Sequence, residues 1–261
     1  MNEELNAYLK KIKINKIKII VFQLLIISLF IIIWQLLSDK NIINSFLCSS
    51  PKNVIKTVIK LYNDNNLFIH IWITLKEILI SFILGSFIGI FIAAILWFNP
   101  FLSKVLDPYL TILNSLPKVA LGPIIIIWAG ANQNSIILMA LLISVISTII
   151  GVYTGFKHTN ETSIKLLKSF NANKIQIFNK VVLPYNINTI VSAIKINLSM
   201  TFVGVIIGEL LVSKEGLGYL INYGSQVFNT SLVMTGIILL AILTSILYFI
   251  ILYIEKKLKN A

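Results

Sequence analysis

Three ionisable side chains, Lys118, Lys195 and Glu209, stand inside stretches that are otherwise apolar. Charge at membrane depth is costly and marks a conduit, a partner, or a side chain whose stem reaches back to water. The two lysines either draw an anion into a pathway or snorkel to the nearer interface. Glu209, one residue after Gly208, pairs with a lysine, lines the pathway, or stays solvated at the outer end of its span. Nothing assembles a nucleophile with a base and an orienting group, so no catalytic residues are expected. His70 and His158 fall on opposite expected sides of the membrane and HExxH is absent, so no metal is expected either. GxxxxGK[ST] is missing too, and the chain by itself should bind no nucleotide and no other cofactor.

These residues need elements to hold them. With 57% hydrophobic and 12% charged residues over a length of 261, the chain is too apolar for a soluble domain. A helix needs roughly 20 apolar residues to cross about 30 Å of hydrocarbon. Six stretches qualify: residues 18–38, 73–97, 105–129, 134–156, 186–212 and 231–254. The expected fold is an all-α membrane protein, a bundle of six transmembrane helices forming one domain over 1–261 with its core at 73–254. The first apolar run, Ile19 to Leu37, is long for a signal peptide and no small-x-small cleavage site follows, so it reads as a retained span in the lipid bilayer.

The net charge is +12 and every basic residue is a lysine. The lysines sit beside the spans and form no single basic patch, which argues against nucleic acid. With the N-terminus inside, fourteen lysines fall on the cytoplasmic side and five outside, which predicts a cell-membrane protein with both termini cytoplasmic. Cys48 is the only cysteine, so no intrachain disulfide can form.

Gly85, Gly89 and Ala93 recur every four residues in the second span, as do Gly204 and Gly208 in the fifth. Small residues on one face let helices approach closely, which in lipid replaces the hydrophobic drive. In the third span, Pro117, Lys118, Gly122 and Pro123 interrupt the apolar run, so this span should be kinked or broken, as a pathway wall or as a packed kink. Before the second span, SSPKNVIKTVIKLYN predicts an amphipathic helix capped by Ser50, with Pro51 first and Val54, Ile55, Val58, Ile59 and Tyr62 on one face.

Between the fourth and fifth spans, ETSIKLLKSFNANKIQIFNKVVLP divides into two amphipathic helices. The first carries Ile164, Leu167 and Phe170, the second Phe178, Val181 and Val182, with Asn171 as a left-handed joint and Pro184 closing the pair. Such an apolar face needs a cover, either a partner chain or the lipid interface.

This loop, 157–184, resembles the cytoplasmic coupling loop of ABC transporter permeases. KIQIFNKVVLP matches the closing part of the family pattern, while Lys165, Leu166 and Leu167 replace its Glu-Ala-Ala and Asn171 its glycine. DPYLTILNSLPKVALGPIIIIWAG, SSPKNV and GELLVSKEGLGYLI are similar to the nitrate, sulfonate and taurine branch, in order and spacing over nearly the whole chain. The resemblance implies a permease subunit of an ATP-driven importer. It implies a permease homodimer, a separate ATPase that holds ATP and Mg, and an extracytoplasmic solute-binding protein. Leu167, Phe170, Asn171, Ala172, Ile177, Phe178, Val182, Leu183 and Pro184 would then couple to the ATPase. The solute would be a sulfonate-, nitrate- or taurine-like anion, or alternatively a thiamine-precursor pyrimidine. From a different class, a membrane scaffold or enzyme without transport remains as a rival.

Overall fold

The computed structural model describes residues 2–259; Met1, Asn260 and Ala261, the ends of the unit read above as 1–261, lie outside the described residues. Within them every regular element is helical. The chain begins with α1 (Asn2–Asp39), a single turn α2 (Ser45–Cys48) and α3 (Pro51–Asn63), then α4 (Leu67–Phe98), α5 (Pro100–Ser115) and α6 (Gly122–Ala129). The helix α7 (Gln133–Lys157) leads into three short helices, α8 (Glu161–Ser169), α9 (Lys174–Ile177) and α10 (Leu183–Tyr185). It ends in α11 (Ile187–Val212), α12 (Leu217–Gln226) and α13 (Thr230–Lys259).

Five helices, α1, α4, α7, α11 and α13, are long and apolar enough to cross a membrane, and α5 with α6 makes a sixth if the bent pair counts as one span. The bend is 90°. Its cause is local: Leu116 is extended before Pro117, a 3-10 turn covers Lys118–Leu121, and Pro123 starts α6 where its missing donor costs nothing. The break expected in the third span is therefore present.

At the centre lies α7, with α4 and α11 packed against it. A Cβ on Gly85 or Gly89 would press on Ser144 or Thr148, and one on Gly208 would press on Ile136. Gly204 is the tightest, since a Cβ there would lie 2.4 Å from the Ala140 Cα. Between α7 and α11 the Asn197 amide donates to the Thr148 hydroxyl at 2.6 Å, a bond that holds helices together without help from water. Leu217 and Leu220 of α12 pack with Leu232 and Leu243 of α13 and close one end of the bundle.

On the periphery, α1 has no buried residue in its apolar window and touches the bundle where the Gln35 Oε1 accepts the Lys52 amide at 3.1 Å. The start of α3 follows expectation, with the Asn53 amide donating to Ser50 Oγ at 3.2 Å and Pro51 first in the helix. Its apolar face does not. Val54 is buried and Val58 half-buried, while Ile55, Ile59 and Tyr62 point outward, so only one edge of that face packs on protein.

Candidate functional site

The loop joining α7 to α11 is built from caps. Asn160 accepts the Thr162 amide at 2.8 Å to start α8, and Asn171, at φ 56°, ends it. The Ala172 amide returns to the Leu167 carbonyl and the Asn171 amide to the Lys168 carbonyl, both at 3.0 Å, which satisfies the last carbonyls of α8. Asn173 and Gln176 then cap α9 reciprocally, at 2.9 and 2.8 Å. Before Pro184 the helix widens into a π turn over Phe178–Val182. Pro184 lacks a donor and crowds the preceding turn, and the wider turn absorbs both defects.

The chain itself covers much of the expected face. Phe178 does not point away from the bundle: its ring meets Trp97, Phe98 and Phe156 at centroid distances of 5.2, 5.0 and 5.4 Å. Ile177 and Val182 are buried in the same cluster, with Leu167 and Ala172 packed beside it. Phe178, Ile177 and Val182 therefore wedge the loop into the ends of α4 and α7. Leu166, Phe170 and Ile175 form the outward apolar surface, 58%, 74% and 62% exposed, and Leu183 is partly open. Exposed Lys165, Lys168, Lys174 and Lys180 rim it. Buried Asn186 locks the loop's exit, donating to Thr159 Oγ1 at 2.7 Å and to the Val182 carbonyl at 2.8 Å.

Sequence reading left three possibilities for Glu209 and the structure gives a fourth. Glu209 is fully buried near the distal end of α11, opposite the coupling loop. One oxygen accepts the Thr74 hydroxyl at 2.6 Å and the other accepts the Gly218 amide. Thr74 Oγ1 in turn accepts the Leu217 amide at 2.8 Å, and His70 Nδ1 accepts the Gly216 amide at 3.0 Å. These three acceptors take the first free amides of α12, where a carboxylate also meets the positive end of the helix. Gly216 is required here: φ is 107° and a Cβ would lie 2.5 Å from the Glu209 carboxyl carbon.

The pathway candidates do not converge. Lys195 pairs with Glu255 at 2.5 Å, near the loop end of the bundle. Its separation along α11 from Glu209 is 14 residues, about 21 Å at helical rise. Lys118 is half-exposed at the α5–α6 break, 3.3 Å from Asn114. Pro117 and Pro123 are exposed there, while Gly122 is buried where a Cβ would meet Leu211 and Met139.

Sequence reading missed His70, Thr74 and Glu77. Their spacing of four and three places them on one face of α4, and three polar side chains so spaced in an apolar helix were the available signal. Glu77 borders a cavity of about 550 Å³ between α4, the start of α7 and the segment after α11. Among the described residues no group of three potential ligands could hold a metal ion.

The chain matches the family model described as binding-protein-dependent transport system inner membrane component, over residues 85–260. It is 26% identical to the putative aliphatic sulfonates transport permease protein SsuC of Bacillus subtilis, over 90% of this chain and 85% of that one. To the formylaminopyrimidine transport permease protein ThiX of Halalkalibacterium halodurans it is 27% identical, over 89% and 90%. In fold it is similar to a chain of the MetNI methionine ABC transporter, with a TM-score of 0.64 at 20% identity over 72% of this chain and 94% of that one.

Proposed function

The chain belongs to the family of binding-protein-dependent transport system inner membrane components, and from that premise we propose that its α8–α10 loop is the docking element through which a separate ATPase drives solute import. A permease of an ABC importer must convert closure of a nucleotide-binding partner into movement of its spans. The observation that carries the reading is the division of the loop into two faces. Phe178 is wedged among Trp97, Phe98 and Phe156, while Leu166 and Phe170 stand open. Such a rigid body passes force from an outer contact to α4 and α7.

In this reading the loop and both termini face the cytoplasm, and the ATPase holds ATP and Mg. The chain itself performs no catalysis, and an extracytoplasmic binding protein delivers the solute to the distal end. A second copy of the chain completes the pathway. It meets the first copy along α5 and α6, where Phe101, Ile127 and Trp128 are exposed. The solute is a small anion of the sulfonate, nitrate or taurine class, in keeping with the sulfonate name of one relative. The name of the other relative favours a pyrimidine as the second reading.

Co-expression with the cognate ATPase tests the docking. The two should co-purify, and replacing residues 161–184 by a flexible linker should abolish that while the chain still inserts in the membrane. An ATPase retained by the linker variant would contradict the proposal.

A further inference from the structure

A second cavity, of about 340 Å³, opens at the loop end of the bundle, where the last turn of α4, the first turns of α5 and the last turns of α7 meet. The chain turns there at Asn99, whose side chain accepts the Leu102 amide at 3.1 Å, and Pro100 starts α5. That turn sets Ser103, Lys104 and Asp107 of α5 opposite Tyr153 and Lys157, one turn apart on α7. Trp97 of α4 forms a third wall.

The lining carries an excess positive charge. Lys104 and Lys157 face the cavity from different helices against a single carboxylate, Asp107. Neither lysine forms a salt bridge among the described residues. The Ser103 and Tyr153 hydroxyls bond to one another, and such a pair uses one of its two protons, so the other is left for an acceptor in the cavity. Two ammonium groups and a hydroxyl proton make a donor set for one phosphate-type anion. Charge balance narrows the choice: a monoanion brings the lining to neutrality, whereas Asp107 opposes a dianionic phosphomonoester. A phosphodiester fits, and hydroxyls attached beyond it can donate to Asp107.

Position selects the source of that phosphate. The spans α4 and α7 end at Phe98 and Lys157, so the cavity lies at the depth of lipid headgroups. Trp97 and Tyr153 are of the aromatic types that gather at that depth. Basic pockets between spans on the cytoplasmic side suit anionic headgroups. We propose that this cavity binds the phosphodiester headgroup of an anionic lipid of the phosphatidylglycerol class, held by Lys104 and Lys157. The side of the membrane rests on the import reading; the binding does not.

The test titrates the full chain in detergent micelles with phosphatidylglycerol or phosphatidylcholine of the same acyl chains and counts lipid adducts by native mass spectrometry. A first phosphatidylglycerol adduct should form at a concentration at least about tenfold below that needed for phosphatidylcholine. A lysine beside an anionic headgroup contributes about fivefold, so Lys104→Gln with Lys157→Gln should weaken that adduct about tenfold or more. Lys157→Gln alone should weaken it about fivefold, which keeps the proposal testable if the double variant fails to fold. Lys256→Gln with Lys257→Gln, exposed lysines at the end of α13, should stay within about twofold. Equal adducts from the two lipids, wild-type affinity in Lys157→Gln, or an equal loss in the α13 variant would each overturn the site. Displacement of the lipid by free glycerol phosphate at matching concentration would assign the cavity to a soluble phosphate ester and overturn the lipid as its source. If the ATPase co-purifies and no selective adduct forms, the site alone fails; if the adduct forms and no ATPase associates, the import reading fails and the site stands.

Discussion

The two ends of the bundle are built on opposite principles. At the loop end the contact between loop and spans is aromatic, with Phe178 against three rings and buried Ile177 and Val182 beside it. At the distal end the segment after α11 is tied by main-chain amides to His70 and Thr74 of α4 and to Glu209 of α11. An apolar wedge tolerates small sliding and still transmits push, because its contacts are non-directional. Directional bonds to a helix terminus hold one geometry and lose much when it shifts. The difference lets one end slide and holds the other in one geometry.

The largest effect should come from Phe178→Asp, which puts a charge among Trp97, Phe98 and Phe156. Truncating a fully buried phenylalanine costs about 3 kcal/mol or more; half-buried Phe178 should lose somewhat less, to which a poorly solvated charge adds. Thermal unfolding of the purified variant should show a large loss together with loss of coupled uptake. Unchanged stability would mean the ring is not the wedge and the comparison breaks at its first half.

Glu209→Leu should come next. It strands the Gly218 amide and the Thr74 hydroxyl, at about 1–3 kcal/mol for a buried unsatisfied group. Hydrogen exchange should speed up at Gly218 at the start of α12 and stay unchanged at Ala172 in the loop. Equal change at both ends would erase the contrast drawn between them.

Asn171→Gly should do least. The residue already sits at φ 56°, which glycine adopts freely, so stability should stay within about 0.5 kcal/mol and ATPase association should persist. A sharp loss of association would assign the asparagine side chain a partner of its own.

Much of this architecture was legible. Runs of apolar residues located the spans because the bilayer demands length before anything else. Pro117 located the break and Asn171 the turn, since each narrows its own or its neighbour's backbone. The facing of the loop was not legible. A helical count groups Phe178 with Val182 on one side, but what covers that side, the chain's own Trp97, Phe98 and Phe156, comes from distant segments that no local pattern names. The buried carboxylate was equally hidden. Glu77 follows Lys76, and a charged pair near a span boundary reads as solvated, whereas α4 starts at Leu67 and carries Glu77 into the packed interior. Its neighbour there is Glu209, 132 positions away in the chain, which no local pattern connects.

Accessibility labelling at Phe170 tests the central claim most directly. In a Cys48→Ser background, Phe170→Cys should resist a membrane-impermeant maleimide on intact cells and react in inside-out vesicles. Bound ATPase should protect it there. Labelling on intact cells, or reaction in vesicles that the ATPase does not slow, would contradict the account.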